Sequence, residues 1–220
     1  MPPHSLPFTL AGTGILWFGW FGFNAGSALA ANGVAVQAFV NTHMAAAAAM
    51  LGWLLVERAH AGHATTLGAA SGAVAGLVAI TPCAGFVGGM SPIAIGAIAG
   101  MVCYLAVNVK FRFKYDDALD VVGVHLVGGI LGSLLLGLFA EKAVNPAGRN
   151  GLFHGGGLAL LGDQFVAVGA TLLYSFAVTF AIIWVLHKVL PGGVRVDEEA
   201  EDVGLDLSEH SEVGYSFAER

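Results

Sequence analysis

A single histidine, His125, lies in the stretch GVHLVGG at residues 123–129, among aliphatic side chains and glycine. A neutral imidazole both donates and accepts a hydrogen bond, and its ordinary pKa lies close enough to neutrality for it to take up or release a proton. Other polar groups within apolar sequence are few. Asn24 and Ser27 belong to the aromatic run Trp17, Phe18, Trp20, Phe21 and Phe23; Gln37, Asn41, Thr42 and His43 form a second group; Asp120 precedes His125. Familiar catalytic constellations are missing from this set. Cys83 and Cys103 have no CxxC or metal-ligand spacing, so neither a disulfide nor a metal site is expected. The glycine-rich GLFHGGGLALLGD at 151–163 lacks the lysine and following Ser/Thr of a phosphate loop and reads as a surface loop with His154 in solvent. No catalytic residue, cofactor or nucleic-acid partner is expected.

The surroundings that position these groups follow from composition. Only 11% of the 220 residues are charged, against roughly 25% in soluble domains, and the mean hydropathy is +0.76. Ser5 to Val56 and Ala59 to Val109 carry no Asp, Glu, Lys or Arg. Each of these blocks is long enough for two crossings at about 20 apolar residues apiece. Ala31-Asn32-Gly33 breaks the first block, and Thr81-Pro82 through Ser91-Pro92 breaks the second. Val121 to Ala140 and Gln164 to His187 add one crossing each. The expected fold is therefore an all-α integral membrane protein with six transmembrane helices, near 7–30, 34–56, 65–82, 92–109, 118–140 and 163–189. Residues 1–193 form the membrane domain and 194–220 a tail holding more than half of the fifteen acidic residues. That tail is either a solubilising end or a docking segment.

Arg58, Lys110, Arg112, Lys114, Lys188, Arg195 and Arg220 fall on the side of the termini, and only Lys142 and Arg149 on the other. The positive-inside rule then places both termini in the cytoplasm. Met1 to Pro7 has no charged region of the kind that opens a cleavable signal. Many of the thirty-two glycines fall within spans, with Gly22/Gly26, Gly68/Gly72/Gly76, Gly96/Gly100 and Gly128/Gly132 spaced four apart. This is the small-xxx-small pattern of closely packed membrane helices.

In a helix beginning near 118, His125 would lie about 10 Å from the start, near mid-depth in the bilayer. Two readings of it stand side by side: a structural hydrogen bond to a neighbour, or the lining of a pathway. Asp120, close to Asp116 and Asp117, has the further reading of a helix cap.

The segments GWFGFNAGSA at 19–28, AFVNTHMAAAAAMLGW at 38–53, SGAVAGLVAITPCAGFV at 71–87 and DDALDVVGVH at 116–125 resemble the ammonium transporter (Amt/Rh) family, as do GLD at 204–206 and HSEVGY at 210–215. The resemblance covers essentially the whole chain. It implies a fold of eleven helices, built from two inverted five-helix repeats about a pore, in a homotrimer whose subunits each hold their own pore. This chain is similar to the second half, helices six to eleven, and the cytoplasmic tail.

The implied substrate is ammonium or methylammonium, crossing the plasma membrane as ammonia after losing a proton in a dry, apolar pore. Residue by residue, the resemblance assigns His125 to a pore histidine pair and Phe23 to a phenylalanine gate. Ser27 and Trp20 fall in the substrate-recruitment site, with Asn24 and Asp120 supporting the pore. A PII-type signalling protein at the tail is implied as well. The second pore histidine, the partner gate phenylalanine and the main recruitment tryptophan belong to the half that this chain does not resemble. His43 is expected in packing or between subunits, and His60 and His63 in ordinary loop positions. Leu126 stands where the family usually has glycine, and Ser211 where HGE is expected.

Two readings of other classes remain. A haem protein or membrane enzyme with His43 and His125 as ligands would show a visible absorption band or a bound metal. A non-transporting half that regulates full-length relatives would copurify with one.

Overall fold

Side chains just outside the apolar segments start the helices. Ser5 Oγ accepts the Phe8 N–H at 3.4 Å, Asn32 Oδ1 the Ala35 N–H at 3.0 Å and Thr65 Oγ1 the Gly68 N–H at 2.8 Å, each satisfying a backbone donor that a helix start leaves over. The computed structural model describes residues 3–214. Tyr215, which ends the HSEVGY motif, and the basic Arg220 lie outside them.

The helices in chain order are α1 (Leu6–Gly26), α2 (Gly33–Ala61), α3 (Thr66–Ile80) and α4 (Ser91–Phe113), a π-helical turn at Val122–Leu126 continued by α5 (Val127–Phe139), α6 (Ala159–Val189), and the short α7 (Glu198–Val203) and α8 (Leu205–Ser208). Among the described residues there are no strands. Five segments are long and apolar enough to cross a bilayer. The sixth expected crossing, at 65–82, is realised as the 15-residue α3, about 22 Å long at the α-helical rise. Pro82 has no N–H to continue the ladder, and the chain proceeds in tighter turns: Thr81 N–H bonds Val78 O, Cys83 N–H bonds Ile80 O and Phe86 N–H bonds Cys83 O.

Carbonyls freed by that break need partners, because hydrocarbon offers no water. Asn41 of α2 supplies them. Its Nδ2 donates to Ala84 O at 2.8 Å and Val87 O at 2.7 Å, while its Oδ1 accepts from Gln37 Nε2 at 2.9 Å. Asn41 itself is 1% exposed.

The core of the first compact unit, which ends at Val168, forms where α2 packs on both α3 and α4. The backbones approach to the limit that absent side chains allow. A Cβ on Gly76 would lie 2.6 Å from Ala45 O, and Cβ atoms on Gly96 and Gly100 would collide with Ala45 O and Ala49 O. Gly132 of α5 meets Ala79 O of α3 in the same way, whereas Gly22 and Gly26 face nothing within 4 Å. The four-residue glycine spacing therefore marks contacts on α3, α4 and α5, and none on α1. A second departure concerns His60, which lies in the last turn of α2 rather than in a loop. Its Nδ1 is 2.9 Å from Tyr104 Oη, and Tyr104 stands edge-on to Trp53. The charge-free stretch ends at Val56, but the helix continues to its left-handed stop at Gly62, φ 83°.

In the second unit, Gly169 onward, the turn after α6 uses Gly192 and Gly193, φ 82° and 85°. Asp197 Oδ1 accepts the Ala200 N–H at 2.8 Å to start α7. Arg195 grips Glu201 through Nε at 2.7 Å and Nη2 at 3.0 Å, and this hydrogen bond holds the Glu201 carboxyl below its ordinary range.

The glycine contacts generate a direct expectation. Gly100→Val should lower the stability of the detergent-extracted protein by about 3 kcal/mol or prevent its assembly, since the added atoms meet backbone that cannot turn aside. Gly22→Ala should change it by less than about 0.5 kcal/mol. Thermal unfolding of the two variants side by side checks both values.

Candidate functional site

The connection from α4 to the π turn, residues 114–121, holds three aspartates, and the structure gives them separate tasks. Asp117 caps the turn: Oδ1 accepts the Val121 N–H at 2.8 Å and Oδ2 the Val122 N–H at 2.9 Å. The cap reading for Asp120 is thereby corrected. Asp120 takes the left-handed conformation, φ 57°, and its carboxylate pairs with Lys110 of α4. Lys110 Nζ also donates to Asp117 O at 3.0 Å, so one ammonium group ties α4 to the Asp120 carboxylate and to the backbone of Asp117. Because the helical turn begins at Val122 rather than near 118, His125 is its fourth residue, about 5 Å along. The distance of about 10 Å from the helix start, expected from the longer helix, is correspondingly shortened.

His125 and Asp120 line one cavity of about 560 Å³ together with Thr9 and Thr13 of α1 and Ser71 and Val74 of α3. The threonine hydroxyls already donate along their own helix, Thr9 to Ser5 O at 3.1 Å and Thr13 to Thr9 O at 2.8 Å. The cavity thus combines the imidazoles of His4 and His125, a paired carboxylate and the Ser71 hydroxyl with apolar walls. Such an arrangement offers hydrogen bonds to a small polar solute while disfavouring an unpaired charge.

The remaining candidate residues gather elsewhere, at the C-terminal end of α1. Trp20 Nε1 donates to Thr81 Oγ1 at 2.8 Å, and Thr81 Oγ1 donates on to Leu77 O at 2.7 Å. Phe23 stands edge-on to Trp20 with ring centroids 5.5 Å apart. Asn24, buried, donates through Nδ2 to Thr42 Oγ1 at 2.9 Å. Ser27, exposed at the helix end, donates to Phe23 O at 2.6 Å. Fourteen residues separate Thr13 from Ser27, about 21 Å along the helix. Trp20, Phe23, Asn24 and Ser27 therefore form one group, His125 and Asp120 another, and α1 runs from the second to the first.

His43 belongs to neither group. It lies on an exposed face beside Trp17 and Phe21, ring centroids 5.3 and 6.0 Å away, and does not line the cavity with His125. The shared-ligand reading of His43 and His125 has no common site to rest on.

Three residues escape sequence reasoning. Ser71 was hidden inside a small-residue run. Asp117 was one of three neighbouring acids. Glu57, 9% exposed, accepts from Thr65 N at 3.0 Å and Thr65 Oγ1 at 2.7 Å, and Gly68 lies against its carboxylate. Its signal was a lone acid at the end of a long charge-free helix.

Long apolar helices in close contact, with buried polar groups tied to one another, define a multi-pass membrane protein. The model of the Ammonium Transporter Family matches residues 1–215. An ammonium transporter of Mycobacterium tuberculosis is 53% identical over 221 residues, covering 98% of this chain and 46% of the relative. Among solved structures, Candida albicans Mep2 superposes with a TM-score of 0.84 at 36% identity over 90% of this chain and 44% of that one. A structure titled Sensor Amt Protein gives 0.82 at 34% identity over 94% and 49%. The chain belongs to the ammonium transporter family, a family of transporters rather than enzymes, and spans about half the length of the relatives it matches.

Asp117→Ala should cost about 1 kcal/mol by removing the cap on the π turn. Hydrogen exchange should accelerate at Val121 and Val122 and stay unchanged in α2; equal protection in both proteins would remove Asp117 from this role.

Proposed function

We propose that this chain supplies the second half of a path for ammonium through the membrane, with His125 as its proton-handling group. The observation that carries the reading is the position of His125 on a cavity wall within a chain of the ammonium transporter family. Trp20, Phe23 and Ser27 at the C-terminal end of α1 receive the cation: aromatic faces attract it and the serine hydroxyl accepts a hydrogen bond from it. Phe23 gates the passage, and Asn24 and Asp120 hold the helices that bear these groups. Ammonium gives one proton to a lone pair of the imidazole system to which His125 belongs and proceeds as neutral ammonia, which an apolar passage tolerates far better than the cation.

The complete protein works as a homotrimer in the plasma membrane, with both termini of this chain in the cytoplasm, where seven of the nine basic residues then lie. Residues 1–193 form its membrane part, and the acidic tail 194–220 meets a PII-type signalling protein. That a neighbour of this chain is titled a sensor supports a regulatory face. α1 leaves Phe8, Ile15, Phe18 and Phe23 exposed, an apolar surface that the other half of such a transporter covers.

A second reading, compatible with coverage of 46% of a relative, is a non-transporting half that assembles with or regulates full-length relatives. Copurification with such a relative, and no uptake by this chain alone, would single it out.

In the complete transporter, His125→Ala should alter methylammonium uptake or the charge moved per substrate, with the trimer intact by native mass; transport like that of the unaltered protein would refute the pore role. Phe23→Ala should admit other monovalent cations, read as a leak current, and an unaltered selectivity would exclude it as a gate.

A further inference from the structure

The α5 seam against α3 and α4 is marked by Gly128, where a Cβ would lie 3.3 Å from Val78 Cγ1 and 3.4 Å from Cys103 Sγ, and by Gly132 on Ala79 O. One turn before Gly128, a regular helix of about 3.6 residues per turn would bring Val124 and His125 onto that seam. The chain makes a wider turn instead. The Val127 N–H is shared between Val122 O, five residues back, and Val124 O, three back, and the residues facing the seam become Gly123 and Val124, both buried. His125 is left exposed on the cavity wall.

Gly123 lets this turn close on α4. A Cβ there would lie 2.6 Å from Val107 Cγ2 and 2.9 Å from both Val107 N and Cα. Two of these three atoms are backbone, so no rotamer change makes room. Cys103 Sγ, from the same helix, faces Val124 O at 3.9 Å. We propose that Gly123 is a positioning residue for His125: by admitting the π turn against α4, it swings the imidazole off the helix seam and onto the cavity wall. Turns of this kind recur at functional sites because they re-aim a side chain that the regular helix would bury. The inference rests on the reading of His125 as a pore residue.

The test is a double-mutant cycle in the complete transporter, following methylammonium uptake and the charge moved per substrate for Gly123→Ala, His125→Ala and the pair. Gly123→Ala should lower uptake about tenfold, as displacement of a reactive group does, and shift the charge ratio in the direction His125→Ala shifts it. The double variant should be no worse than His125→Ala, because residues acting through one another are not additive. Additive losses, or an unchanged charge ratio in Gly123→Ala, overturn the inference while the pore reading stands. Transport unchanged by His125→Ala overturns both. Where Gly123→Ala does not assemble, Val107→Ala decides instead: it adds no bulk and frees the turn, so coupling to His125→Ala supports the assignment and independence overturns it.

Discussion

Everything in the membrane bundle depends on how closely three backbones approach at Ala45 and Ala49. In lipid, exclusion of water contributes little to helix association, and dispersion between tightly fitted surfaces must supply the attraction. The alanine run of α2 and the glycines of α3 and α4 create that fit: carbonyl oxygens of α2 lie where side chains of α4 would otherwise stand. The same contact fixes the direction of α3, and α3 in turn presents Ala79 O to Gly132 and Ser71 to the cavity. The polar wall of the site is thus held from behind by an apolar, nearly side-chain-free seam.

Spans and seams were legible because both are written in composition. Charge-free blocks mark crossings, and glycines four apart mark close contact. Even so, Gly22 and Gly26 carry the pattern and a Cβ on either would meet nothing within 4 Å, since spacing shows that a helix face is small without showing what lies opposite. The candidate residues were legible through family resemblance, and their division into two groups was not: one at the end of α1, the other opposite its first turns. That division depends on where α3 and α5 dock. The π turn was illegible for a sharper reason. Val122 to Leu126 is apolar with one histidine, and Val107 and Cys103, against which the turn packs, lie on another helix. Asp117, Asp120 and Lys110 illustrate the same limit, because three acids in five residues are interchangeable until a partner is in place.

The two polar groups share a design. In each, one residue is satisfied within the protein so that another remains available. Trp20 is tied to Thr81 and Asn24 to Thr42, beside an exposed Phe23 and Ser27. Asp120 is tied to Lys110, beside an exposed His125. Fixed partners of this sort orient neighbouring groups without adding an uncompensated charge to a low-dielectric interior.

Asn41 carries a consequence for biogenesis. It precedes the carbonyls it satisfies by 43 and 46 residues, so the break after α3 emerges from the ribosome after its partner and is saturated only when the α3–α4 hairpin meets α2. Until then those carbonyls must remain in contact with water or headgroups. Insertion of the hairpin and its dehydration are separate events, and the second waits on lateral assembly.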